Sequence, residues 1–305
     1  MKSELGLILP LHGAVFAEAL AGARAADEAG VAAVWVPDTL MNQGRPSAGV
    51  LSCEAVLAAA AAVVQRARLG TLVLSTPFRH PPLLAKQLAS IESLVPGRLV
   101  VGLGAGGMTY QTTCRQLGYP LLPPLDRVAH VEESVACLRA LWGDDPAEFE
   151  GRFFGAHQVR IYPRPERPIP IVLAARRRRM LALAARIADG WNCPLPHELA
   201  EGLETLEKLG RARDTLDVSV YAIGVLGENE ADAKRALERA GPSAQLFGDV
   251  ESHHVFGAPE RAADCIARLH QQGATHVALD PRGRPLDEWV DLLAREVMPR
   301  LGVTD

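Results

Sequence analysis

The chain has 305 residues, 48% of them hydrophobic and 22% charged, with a formal net charge of −4. That length suits one large α/β domain, the composition excludes a disordered or fibrous chain, and the acidic balance argues against nucleic acid or a membrane surface as the partner. No apolar run reaches the roughly 18 residues of a membrane span, the first ten residues lack a signal-peptide core, and five cysteines without any CxxC point away from disulfides and zinc and towards the cytoplasm.

Leu5–Leu9 reads as a first apolar strand, followed by an Ala-rich helix over Phe16–Ala29 that Gly30 stops. Ala33–Val36 is the second strand. Positions 40–52 have no periodicity and form a loop, after which a helix runs from Ser52 to about Gln65. Leu69–Leu74 and Leu99–Leu103 are continuous apolar runs on either side of a helix over Pro81–Leu94. Such runs, bounded by turns, are parallel strands buried on both faces. A Pro-rich loop follows, with Asp126 as the expected N-cap of a helix through Trp142. The prolines and glycines of 143–168 exclude any long element there. The rhythm then resumes: strand Pro170–Ala174, helix Arg176–Ala188, strand Gly190–Cys193, helix Glu198–Arg211, strand Asp217–Val225 and helix Glu230–Ala240. Irregular chain over 241–257 leads to helix Pro259–Gln271, strand Thr275–Leu279 and a last helix over Leu286–Leu301. Eight strand–helix units without a composition break mean a single (β/α)8 TIM barrel over 1–305, with an excursion between strands four and five.

Chemistry in such a barrel sits on the loops after the strands' C-terminal ends. The positions to interrogate are therefore His12, Asp38 and Thr39, Thr76 to His80, Gly104 to Tyr110, Ala174 to Arg179, Trp191 to Pro194, Tyr221 to Gly224 and Asp280 to Arg282. Glycines ending a buried strand leave room for a ligand against the backbone. Gly104-x-Gly106-Gly107 fails as a dinucleotide fingerprint, since the third glycine is misplaced and no acidic residue follows at the required distance.

Five stretches carry a resemblance: RARLGTLVLSTPFRHPPLLAKQLASIESLVPGRLVVGLGAGG at 66–107, EGRFF at 150–154, PIPIVLAA at 168–175, LALAARIADGWN at 181–192 and GAPERAADCIARLHQQGATHVAL at 257–279. In that order the chain resembles the bacterial luciferase-like monooxygenase superfamily, whose members include coenzyme F420 (deazaflavin) dependent and FMN-dependent enzymes. The resemblance implies an oxidoreductase with a flavin-type cofactor across the strands' C-terminal mouth, F420 being favoured over FMN. It also implies a bulged third strand behind the ring, with a non-proline cis peptide at Leu72–Val73. By the same resemblance the loop after strand five, with Ala174, Ala175, Arg176 and Arg177, holds the cofactor's phosphate. Free helix N–H groups beside guanidinium forks suit that anion.

Relatives commonly have Asp-His after strand two, where this chain has Asp38-Thr39, so the histidine's part in proton or hydride transfer does not carry over. Asp38 and Thr39 both remain in the expected cofactor set, Thr39 as a candidate partner for the ring edge, with a turn-forming Asp-Thr pair as the alternative. Gly107 likewise lacks the carboxylate of the family's sugar-phosphate dehydrogenases. Thr76, Gly104 and Gly106 complete the expected cofactor set. Trp191 is a candidate wall of the ring pocket, with core packing as the alternative. His12 is the candidate acid or base, because an imidazole titrates near neutrality, with an exposed loop histidine as the alternative. His80 reads as structural. His253 and His254 have no spaced partner, so no metal site is expected. The expected activity is F420-dependent hydride transfer to or from a small organic substrate by a homodimer. The alternatives are an FMNH2-dependent monooxygenase and a flavin-free member acting as a partner subunit.

Overall fold

The computed structural model describes residues 4–13, 15–41, 49–143 and 146–302. In chain order its elements are β1 Glu4–Ile8, α1 Phe16–Glu28, β2 Ala33–Val36, α2 Cys53–Ala61, β3 Arg68–Ser75, α3 Pro81–Glu92, β4 Leu99–Gly104, α4 Tyr110–Leu117 and α5 Pro124–Leu141. They continue with β5 Ala147–Glu150, β6 Gly155–Val159, β7 Ile171–Ala174, α6 Arg178–Ile187, β8 Gly190–Cys193, α7 Leu199–Lys208 and β9 Asp217–Leu226. The chain ends with α8 Glu230–Ala240, α9 Val250–His253, β10 Val255–Gly257, α10 Pro259–Gln271, β11 His276–Pro281 and α11 Leu286–Leu292. Strands β1, β2, β3, β4, β7, β8, β9 and β11 pair in parallel, and the ring closes through β8 with β9 and β11 with β1. This is the expected (β/α)8 barrel.

Alternation of side chains along each strand makes two cores. The outward set, including Leu7, Val34, Leu69, Val101, Leu173, Val220 and Leu279, packs on the helix layer. The inward set, Ile8, Ala33, Trp35, Leu72, Val100, Val172 and Ala278, fills the lumen. Trp35 is the largest plug. A Cβ at Gly6 would lie 2.5 Å from its Nε1 and one at Gly70 2.6 Å from its ring, so both strands need glycine there.

Three expected features are corrected. Asp126 does not cap α5: Pro123 occupies the cap and Pro124 opens the helix, while Asp126 binds Arg152 at 2.7 and 2.9 Å. The excursion 143–168 holds no long element, only an antiparallel hairpin of β5 and β6, and α4 precedes the Pro-rich loop. The irregular 241–257 includes β10, which extends the sheet beside β9 outside the ring. The last helix stops at Leu292 and continues as a π turn and a 3-10 turn, with Pro299 unable to supply an α-helical N–H. Positions 42–48 of the expected loop lie outside the described residues. No described helix is long and apolar enough to cross a membrane.

Candidate active site

The β3 side of the mouth is built on a bulge. The β3–β4 ladder skips between Thr71 and Leu74, and the Leu72–Val73 peptide is cis, at the bond marked by the resemblance. The Thr71 hydroxyl occupies the gap: it donates to the Gly102 carbonyl and accepts from the Gly102 N–H, both at 2.9 Å. Leu72 and Val73 both turn to the lumen cluster. Val73 lies over β4, where a Cβ at Gly102 would be 2.7 Å and one at Gly104 3.0 Å from its methyls. Gly106 has φ +84°, and a Cβ there would strike the Tyr110 ring at 2.7 Å. The wall is thus bare backbone at Gly104 and Gly106.

Thr76 is buried at the top of β3; its hydroxyl donates to the Gly104 carbonyl and faces His130 Nδ1 at 3.3 Å. Phe153 and Phe154 enclose the His130 ring, which explains the EGRFF motif, and burial lowers the His130 pKa. His130 was not legible in the sequence because it stands mid-helix in α5 and meets its partners only through the tertiary fold. Asp38 is 2% exposed and fully engaged: Arg79 donates to its two oxygens at 2.7 and 2.8 Å, and the Ser75 N–H adds a third bond. Arg79 also donates to Glu54 at 2.5 Å. Asp38 therefore braces the loops after β2 and β3, and half-buried Thr39 follows it.

Beyond β7, Arg176 Nε donates to Glu198 at 2.8 and 2.7 Å, which lowers the Glu198 pKa. Arg177 stands at the N-cap of α6 with no side-chain cap, and exposed Arg178 and Arg179 follow. The first-turn N–H groups of α6 therefore point to solvent amid positive charge. Ala174 is half-buried; Ala175 is buried, its N–H donating to the Asn192 carbonyl at 3.3 Å.

Trp191 does not line the mouth. It faces the helix layer, where its indole N–H donates to the Ala175 carbonyl at 2.8 Å and its ring lies where a Cβ at Gly202 of α7 would be. Strand alternation turns the next residue, Asn192, inward instead, and its amide donates to Ser219 at 3.0 Å.

The opposite wall holds a charged group on β9 and β11. The Tyr221 hydroxyl donates to Asp280 Oδ2 at 2.5 Å, and Arg282 Nη2 donates to the same oxygen at 2.6 Å. Burial and the Asp280 charge push the Tyr221 phenol well above its ordinary pKa. Burial would lower the Arg282 pKa, but Asp280 outweighs it and the net shift is upward. His12 stands exposed on the loop after β1, which is bridged to Val50. Its pKa is lowered by desolvation and by the Arg282 cation, against the pull of Asp280. Buried His254 receives the Ile223 N–H, and exposed His253 stacks on His197 at 4.6 Å. Among the described residues no group of three or more potential ligands could hold a metal ion. A shallow concavity of about 450 Å³, lined by Arg24, Asp27 and Arg66 among others, lies at the opposite end of the barrel.

A barrel with a bulged third strand and this motif order defines a class. The family model for luciferase-like monooxygenases matches residues 4–287, and the chain belongs to that family. It is 33% identical over 308 residues to the F420-dependent glucose-6-phosphate dehydrogenase of Beutenbergia cavernae, with 90% of each chain covered. Among solved structures it is similar to an F420-dependent secondary alcohol dehydrogenase in complex with an F420–acetone adduct, with TM-score 0.82, 19% identity and 99% of each chain covered. It is also similar to the coenzyme F420 dependent tetrahydromethanopterin reductase of Methanopyrus kandleri, with TM-score 0.81, 19% identity, and 99% of this chain and all of that one covered.

Proposed function

We propose that the chain is a coenzyme F420 dependent oxidoreductase that moves hydride to or from a small organic substrate at the barrel mouth. The observation that carries this reading is the end-to-end similarity to an F420-dependent dehydrogenase, 33% over 90% of both chains. The mouth fits the group. Gly104 and Gly106 let Val73 and Tyr110 pack close against the end of β4, and α6 opens on free N–H groups beside Arg176 and Arg177. Bound there, the deazaflavin supplies a ring carbon that takes or gives hydride.

The chain's own residues do the rest. Leu72, Val73, Gly104 and Gly106 back the ring and Thr39 meets its edge, while buried Thr76, expected in the same set, is committed to the Gly104 carbonyl and His130. Ala174, Ala175, Arg176 and Arg177 hold the phosphate, and Asp38 holds the Thr39 loop in place. His12, whose pKa is lowered by desolvation and the Arg282 cation, is the group that moves a proton to or from substrate. Thr39 and Gly107, which depart from the sugar-phosphate dehydrogenases, support a substrate other than glucose 6-phosphate. The chain is read as one domain, 1–305, acting as a homodimer in the cytoplasm, the last because its five buried cysteines are all unpaired.

Titration with coenzyme F420 and with FMN, followed by quenching of cofactor fluorescence, tests the reading. F420 is expected to bind more tightly, and Arg177→Ala to weaken it about tenfold, as expected for loss of one charge-assisted hydrogen bond. Preference for FMN would assign the chain to the monooxygenases of the family, and binding of neither to its flavin-free members.

A further inference from the structure

The group formed by Tyr221, Asp280 and Arg282 is not used by the cofactor reading, and its wiring bears on what the substrate can be. Parallel pairing sets Tyr221 opposite Ala278 and Ile223 opposite Asp280, so the phenol reaches one level up the barrel to the carboxylate. Asp280 is buried, and its Oδ2 receives both the phenol and the guanidinium. One cation and one anion cancel, leaving this wall without net charge. Tyr221 is crowded by protein on nearly all sides yet keeps part of its surface open to solvent, as does Arg282, so both stand in a pit rather than in the sealed core. The Phe247 ring, centred 5.2 Å from that of Tyr221, closes one side.

We infer that Asp280 is a specificity-determining residue: by neutralising Arg282 and accepting the Tyr221 hydrogen bond, it makes this wall a site for an uncharged hydroxyl or carbonyl and excludes phosphorylated substrates. The inference rests on the oxidoreductase reading above. Tyr221 gives its only hydrogen to Asp280 and its oxygen also accepts from Arg282, so one lone pair is left to accept a hydrogen bond from a substrate hydroxyl. His12, on the loop after the adjacent strand β1, is a second polar contact. An incoming phosphate would have to share Arg282 with a carboxylate 2.6 Å from its Nη2, and like charges held at that distance disfavour each other.

The test is isothermal titration of glucose 6-phosphate into the protein already saturated with coenzyme F420, so that α6 is taken. Asp280→Asn keeps the shape and removes the charge; it is expected to bind glucose 6-phosphate at least tenfold more tightly than the wild type. Adding Arg282→Met to Asp280→Asn is expected to abolish that gain. Equal affinities in wild type and Asp280→Asn, whether tight or absent, would overturn the inference, as would a gain that survives Arg282→Met. Should Asp280→Asn not fold, Asp280→Ser is read in the same titration. Failure of F420 to bind would strike the cofactor reading alone, and the same titrations on the free protein would still decide the role of Asp280.

Discussion

At the N-terminal end of the barrel Glu4, Arg68 and His276 lie beneath the Trp35 indole; at the C-terminal end Asp280, Arg282 and His12 surround Tyr221. Both ends combine a carboxylate, a guanidinium, an imidazole and an aromatic ring. Below, Trp35 Nε1 donates to His276 Nε2 at 2.8 Å, Glu4 pairs with Arg68, and His276 is sealed with its pKa lowered chiefly by burial. Above, the aromatic side chain is withdrawn to one wall, and Tyr221, Arg282 and His12 keep surface open to solvent. Residue types are therefore a poor guide to a site. What separates a plug from a mouth is where the ring goes: Gly6 and Gly70 make room for Trp35 to fill the lumen, whereas the Tyr221 ring stays at one wall beside Phe247.

The largest effect that would break this contrast is on Trp35. Trp35→Ala should destabilise the fold by about 4 kcal/mol in urea unfolding, the range for deleting a buried large aromatic ring; a loss near 1 kcal/mol would mean that the lower lumen is not a closed core. Asp38→Asn comes next. It leaves the Arg79 guanidinium, 9% exposed, with half its partners gone, and should cost about 3 kcal/mol. If it instead weakens F420 binding at unchanged stability, Asp38 belongs to the ligand site and not to the brace.

The smallest effect is one of pH. His276 has a folded pKa below that of the unfolded chain, so the unfolded state takes up its proton first. Its contribution to stability is complete above about pH 6.5 and is lost as pH falls from there towards the lowered folded value. His276→Gln, which still offers Trp35 an acceptor, should reduce the decline by up to about 1.4 kcal/mol per pH unit below 6.5. An unchanged slope would show that the imidazole is already solvated in the folded protein.

The eight-unit barrel and the order of its strands could be read from the chain alone. Long apolar runs, turn glycines and helical periodicity are local signals, and β2, β8, α8 and α10 have the expected limits. The start of α6 was legible to within two residues, because a helix start is readable from its neighbours. Tertiary structure alone decided which side of each strand faces the lumen and which charges meet. Trp191 and Asn192 are adjacent on β8, yet one is core and the other lines the barrel, a choice made by Gly202 on α7. Asp38 meets Arg79, and His130 meets Thr76 and Phe154, across 41, 54 and 24 positions of chain. Tyr221 and Asp280 are 59 residues apart and become one hydrogen-bonded group only because β9 and β11 are neighbours in the closed ring. Pairing over such separations leaves no periodic trace in the chain, since it follows from strand register and closure of the barrel.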